Sequence, residues 1–240
     1  MRKFVSCIFM VLGGCLLSFA QHPSLLFTQE EVSEIRAGKG MVPEFDKSLS
    51  EVLSAADAAV NSSISVPVPI DGGGGAVHEQ HKSNYYAMFH CGVAYQLTGD
   101  KKYVDFLNRE YRATYDFLFD KEEHLFYRDS RYFNKKEANG KKVFWGRGNG
   151  WVLGGLSEIL QALPAKDKHR RFYEDLFVTL SARVAELQSK DGYWHASLLD
   201  PESYPSPETS ATGFIVYALA YGINEGLLDK DKFTPVVVKG

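Results

Sequence analysis

From Phe172 to Leu187 the apolar side chains Phe172, Leu176, Phe177, Leu180, Val184 and Leu187 fall three or four residues apart, with polar residues between them. That spacing is one face of an α-helix. Tyr103, Phe106, Leu107, Tyr111, Tyr115 and Leu118 repeat the rhythm over residues 102–118. Three further stretches, 85–97, 151–163 and 212–227, are apolar nearly all round, the pattern of helices buried on most sides. Few segments alternate with period two, so the expected fold class is all-α.

The two kinds of helix alternate, and their connections repeat. Leu97 runs into Thr-Gly-Asp-Lys-Lys-Tyr103, Leu163 into Pro-Ala-Lys-Asp-Lys-His-Arg-Arg-Phe172, and Leu228 into Asp-Lys-Asp-Lys-Phe233. Each is a buried helix, a short charged turn, then an amphipathic helix, which predicts an array of helical hairpins. The connections at the other end are long, 120–150 and 190–207, and in such an array they open on one face. Each of them feeds the N-terminus of a buried helix, a place that favours anions.

Composition narrows the ligand class. The 240 residues are 45% hydrophobic and 24% charged with a formal net charge of −3, an ordinary globular balance with no basic excess to attract nucleic acid or an anionic membrane. Residues 1–20 read as a secretory signal peptide: Arg2 and Lys3, an apolar run from Phe4 to Leu17, then Ser18-Phe19-Ala20 before Gln21. The expected location is periplasmic or secreted, with no stable membrane span, although Leu12-Gly13-Gly14-Cys15 loosely resembles a lipoprotein signal. Cys7 and Cys15 lie in this leader, so the mature chain keeps only Cys91 and can form neither an internal disulfide nor a cysteine-based zinc site. No cofactor or metal is called for.

Polar and aromatic residues concentrate at three junctions between loop and helix: 72–86, 145–151 and 205–213. The middle one reads Trp145-Gly-Arg147-Gly-Asn149-Gly-Trp151. As a Gly-rich turn it bends sharply and lets a ligand approach the backbone, while tryptophan faces and a fixed guanidinium suit an anionic sugar. A uronic-acid-containing oligosaccharide is the expected partner. Each junction also has a plain structural explanation: Asn84, Thr209 or Ser210 as helix caps, the glycines as turn formers, the tryptophans as core, Arg147 as a cap or salt-bridge arginine.

Five strings in order from about residue 100 onward resemble the unsaturated glucuronyl and rhamnogalacturonyl hydrolases of glycoside hydrolase families 88 and 105. They are Leu-Phe-Tyr127-Arg-Asp129-Ser-Arg-Tyr, Phe-Trp145-Gly-Arg147-Gly-Asn149-Gly-Trp151, Asp-Gly-Tyr-Trp194-His195, Ser-Leu-Leu-Asp-Pro-Glu-Ser-Tyr and Pro-Glu208-Thr209-Ser-Ala-Thr-Gly. The resemblance implies an (α/α)6 toroid, inner helices ringed by outer ones. It also implies hydration of the C4=C5 double bond of a 4,5-unsaturated uronic acid, after which the hemiketal opens and frees the neighbouring sugar. On this resemblance Asp129 is the candidate acid/base; a surface aspartate paired with arginine is the alternative. Arg147 would bind the uronate carboxylate, Trp145, Trp151 and Trp194 would stack on sugar faces, and Tyr127, Asn149, His195, Glu208 and Thr209 would complete the substrate site.

The N-terminal part, 21–104, resembles alginate-lyase and heparinase II/III-type polysaccharide lyases through His22-Pro-Ser-Leu-Leu-Phe-Thr-Gln-Glu-Glu-Val and through His78-Glu-Gln-His81-Lys-Ser-Asn84-Tyr85-Tyr86. The hydrolase-like part is then 105–240 of the same toroid. The lyase resemblance implies an alternative function, β-elimination of a uronate polysaccharide by His78, His81, Asn84 and Tyr85. The hydrolase resemblance, for its part, implies a second important aspartate on an earlier inner helix, a position occupied here by the Asn84-Tyr85-Tyr86-Ala-Met88 segment. A chain of this length supplies about seven to nine helices at usual helix and loop lengths, fewer than a closed ring requires. The expectation is an incomplete toroid, and with it a third alternative, an inactive carbohydrate-binding remnant.

Overall fold

The computed structural model describes residues 27–68 and 75–240. The leader 1–20 and the glycines at 72–74 lie outside the described residues. The chain divides into two compact units between Asp46 and Lys47. In the first, helix α1 (Gln29–Gly38) begins with a capping box, Thr28 Oγ1 accepting from the Glu31 N–H and the Glu31 carboxylate accepting from the Thr28 N–H. Helix α2 (Pro43–Val60) starts on a proline, which costs no hydrogen bond at a first helical position.

Three helical hairpins follow. Helix α3 (Gly75–Thr98) turns through Gly99, φ +71°, into α4 (Lys101–Leu118), whose first turn is capped by Asp100. Helix α5 (Gly146–Ala162) pairs with α6 (Arg170–Glu186), and α7 (Thr209–Asn224) with α8 (Lys230–Lys239), capped by Asp229. The amphipathic helices expected at 102–118 and 172–187 therefore stand where the periodicity placed them. Between α4 and α5 a two-residue antiparallel pair, β1 (Phe119–Asp120) and β2 (Leu125–Phe126), sets Phe119 opposite Phe126, and a 3-10 turn spans Ser130–Tyr132.

Two cores hold these elements. Ala56 and Ala59 of α2 meet Cys91 and Ala94 of α3 and Tyr103 and Phe106 of α4. The Cys91 thiol is pushed up to about 11 by burial, which leaves it a packing group without thiolate reactivity. The larger core joins α5, α6, α7 and α8 through Leu153, Leu156, Phe177, Leu180, Ile215 and Leu219. Helices α5 and α7 share the most extensive helix–helix contact. No helix among the described residues is long and apolar enough to cross a membrane.

Candidate functional site

The Gly-rich segment is helix, not turn. Residues 146–150 form the first turn and more of α5, and none of their glycines has positive φ. Their smallness serves packing instead. A Cβ at Gly146 would run into the His195 carbonyl, and one at Gly150 would press on Phe214 and Ala211 of α7 at 3.2–3.4 Å. Close approach of α7 and of the 194–198 segment overrides the poor helix propensity of glycine.

The loop segments on this face are laced together. Trp145 bridges Ser197 and His195 bridges Pro207; Gly146 N–H donates to Ala196 O at 2.8 Å, Leu198 N–H to Phe144 O at 3.0 Å and Glu208 N–H to Trp194 O at 2.8 Å. Three segments far apart in sequence thus present their side chains as one surface. Glu208 caps α7, its carboxylate accepting from the Ala211 N–H and from Ser210 Oγ.

On that surface Trp145 is the hub. Arg147 lies over its ring at 4.4 Å from the centroid and Arg128 at 6.0 Å. Arg147 stands 3.6 Å from Glu208; Arg128 stands 3.6 Å from Asp129 and donates to the Tyr132 hydroxyl at 3.1 Å; both side chains are 45% exposed. Beside Trp145 opens a cleft of about 260 Å³ lined by Arg128, Tyr132, Glu137, Phe144, Ser197 and Tyr204. Its one lining carboxylate, Glu137, accepts from Ser197 Oγ at 2.6 Å. Trp151, 61% exposed and packed at 4.2 Å on Phe214, walls a separate groove of about 520 Å³ between α5 and α7 that also includes Glu158, Ser210 and Tyr217.

Several expected site residues have other work. Trp194 is fully buried, and its Nε1–H donates to Val184 O at 2.7 Å, so it stacks on the core and cannot meet a sugar. Asn149, also fully buried, accepts from the Phe126 N–H at 2.8 Å and donates to Phe126 O at 3.1 Å, pinning β2 to α5. Tyr127 spends its hydroxyl on Asp120 at 2.9 Å. His195 Nδ1 faces Ser206 O at 3.2 Å, and Thr209 is exposed on the first turn of α7. Arg128, Tyr132 and Tyr204 line the cleft from within the motif strings without having been given a role, and Glu137, outside every string, carries no signal in the sequence.

Asp129 is buried, and its carboxylate is gripped by Arg131, Nε at 3.0 Å and Nη2 at 3.1 Å, while the Arg131 N–H donates at 2.9 Å. Burial would raise its pKa, but the Arg131 bonds and the Arg131 and Arg128 charges outweigh it and hold the carboxyl below its ordinary range. Asp129 thus stands as an arginine-paired carboxylate at the edge of this surface, with Arg131 on both of its oxygens.

A second carboxylate behaves similarly. Burial pushes Asp120 upward, yet Lys142, the Glu122 and Glu123 N–H groups and the Tyr127 hydroxyl together bring it from 3.8 to about 2. Because the folded value is depressed, the stabilisation is complete above pH about 4 and is lost as the pH falls toward 2, about 2 kcal/mol in all. Thermal melts between pH 5 and pH 2 should show this loss in the native chain and a flatter profile in Asp120→Asn.

On α3 the side chains of three lyase-type residues are described. Asn84 donates to Ser65 O at 2.6 Å and accepts from Gln80 at 3.0 Å, Tyr85 is turned outward and stacks on Phe89, and His81 Nε2 is buried without a partner among the described residues. The side chain of His78 lies outside the described residues.

Comparison with known proteins adds a lineage to this geometry. Residues 85–240 match the model of a family described as Glycosyl Hydrolase Family 88. The chain is 51% identical over 148 residues to an unsaturated 3S-rhamnoglycuronyl hydrolase of Formosa agariphila, an alignment covering 59% of this chain and 39% of that one. Among solved structures it is similar to a polysaccharide lyase, with TM-score 0.68, 32% identity, and 88% of this chain and 57% of that chain covered. It is also similar to a glycosyl hydrolase family 88 protein of Bacteroides vulgatus, with TM-score 0.67, 30% identity, and 88% and 58% covered. The chain therefore spans about two fifths of that hydrolase and under three fifths of either solved chain. The fold is that of the six-hairpin α/α toroids.

Proposed function

The chain belongs to glycosyl hydrolase family 88, and from that premise we propose that its loop face binds 4,5-unsaturated uronyl oligosaccharides and hydrates their C4=C5 bond. The observation that carries the reading is the pair of half-exposed guanidinium groups, Arg147 and Arg128, on the Trp145 ring beside the cleft. An indole face suits the apolar face of a pyranose, and a guanidinium suits its carboxylate. Arg147 also sits in the first turn of α5, at the positive end of the helix. At 260 Å³ the cleft is smaller than the usual range for ligand sites, from about 300 Å³ upward, which favours a terminal sugar over a polymer chain.

Hydration delivers a proton to C4 and water oxygen to C5; the C5 hemiketal then opens and the neighbouring sugar leaves. In this reading Arg147 holds the carboxylate and Trp145 the ring. The proton is assigned to Glu137 on position, as the carboxylate that lines the cleft, its Oε1 oriented by the Ser197 hydroxyl. The name of the Formosa relative, unsaturated 3S-rhamnoglycuronyl hydrolase, makes unsaturated uronides linked to rhamnose the first substrates to try.

The test is optical. The absorbance of an unsaturated uronyl disaccharide should decay with the native chain and slow by about a hundredfold or more in Glu137→Gln with unchanged circular dichroism. Undiminished decay in the variant rejects Glu137; no decay with the native chain rejects the hydrolase reading. Likeness to a polysaccharide lyase supports a second reading, β-elimination, which would instead create that absorbance from a saturated uronate polymer.

A further inference from the structure

We propose that Asp120 is a positioning residue of the cleft: one buried carboxylate that fixes the two chain segments carrying Arg128 and Trp145. The proposal rests on reading the cleft as the uronide site. Asp120 stands where α4 passes through β1 into the long loop, and its side chain is 9% exposed. Oδ1 accepts from the N–H groups of Glu122 at 3.0 Å and Glu123 at 2.9 Å, which closes the tight turn after β1. Oδ2 reaches outward, accepting from the Tyr127 hydroxyl at 2.9 Å and from Lys142 Nζ at 2.7 Å.

These last two bonds tie down opposite ends of the loop. Tyr127 immediately precedes Arg128, and its ring rests 4.5 Å from Phe144 and 5.1 Å from Phe133. Lys142 lies three residues before Trp145 and leads directly into Val143 and Phe144, which form the cleft wall. Without the Asp120 charge, Lys142 keeps only Glu122, at 2.7 Å, and that carboxylate is 85% exposed. The ammonium would follow it toward solvent, and the wall with it. Phe119, Leu125, Phe126 and Phe144 carry the principal core into this loop, so the variant's melting temperature is measured beside the loop readout, and the proposal requires loosening beyond that expected from the melt alone.

Asp120→Asn preserves size and an acceptor for the turn while removing the charge. Native-state trypsin treatment reads the loop independently of any activity, through cleavage after Arg128, Arg131, Lys135 and Lys136. In the variant the cleavage rate should rise about tenfold, because proteolysis follows the population of the opened loop. With the unsaturated uronyl disaccharide, KM should rise about tenfold while kcat stays within about threefold, the signature of lost ground-state positioning. Lys142→Met provides the same test should Asp120→Asn fail to fold, and Lys142→Arg should restore both readouts. Unchanged cleavage in a folded Asp120→Asn or Lys142→Met protein overturns the proposal, as does faster cleavage with an unchanged KM. A native chain that leaves the disaccharide untouched defeats the functional reading alone, and the trypsin rates then decide the clasp by themselves.

Discussion

Trp194→Ala should lower the melting temperature of the larger unit by about 10–15 °C, the largest single effect expected in this protein. The indole is fully buried against the core of α6 and α7, and truncating a buried tryptophan costs about 3–5 kcal/mol. The change also removes the indole hydrogen bond to Val184 O at 2.7 Å, about 1 kcal/mol more, although that carbonyl keeps the Leu187 N–H at 3.1 Å. Against a total stability of about 5–15 kcal/mol, that takes a large share of what holds the unit folded. Circular dichroism melts measure it directly. A sugar-stacking tryptophan behaves in the opposite way, with weakened ligand binding and an intact melt, so the result separates core from platform.

Arg147→Met should weaken binding of an unsaturated uronyl disaccharide about 10- to 100-fold, with a melting temperature close to that of the native chain. A charge-assisted hydrogen bond to a carboxylate contributes about 1.5–3 kcal/mol, whereas the resting pair with Glu208, at 3.6 Å and half exposed, contributes little to stability. Methionine keeps the aliphatic stem over Trp145, so the loss reports the charge. Titration calorimetry with the disaccharide checks it, and unaltered affinity would remove Arg147 from the site.

The contrast between these two residues shows what sequence could and could not convey. Helical hairpins were legible because burial on one face leaves a period of three to four residues, and 102–118 and 172–187 carry that period cleanly. Three tryptophans in motif strings carry no such signature. Trp145 and Trp151 are available to a ligand and Trp194 is core because of bridges between Trp145 and Ser197 and between His195 and Pro207, pairings more than ten residues apart. The glycines at 146–150 misled for a related reason. Glycine reads locally as a turn, yet here the determining contacts are the His195 carbonyl and α7, which no local window contains. Asp129 was legible as a loop carboxylate among arginines, but its two-point hold on Arg131 in particular is a matter of the folded loop.

Glu208 gives Arg147 an internal counter-ion. Its carboxylate caps α7, and its outer oxygen stands 3.6 Å from the guanidinium that a uronate would take. An arriving carboxylate is therefore an exchange partner: it displaces one weak anion from Arg147, and on leaving it returns the arginine to the same anion. On the proposed reading, such an exchange would ease product departure, which would suit short fragments taken in succession better than a single long chain retained.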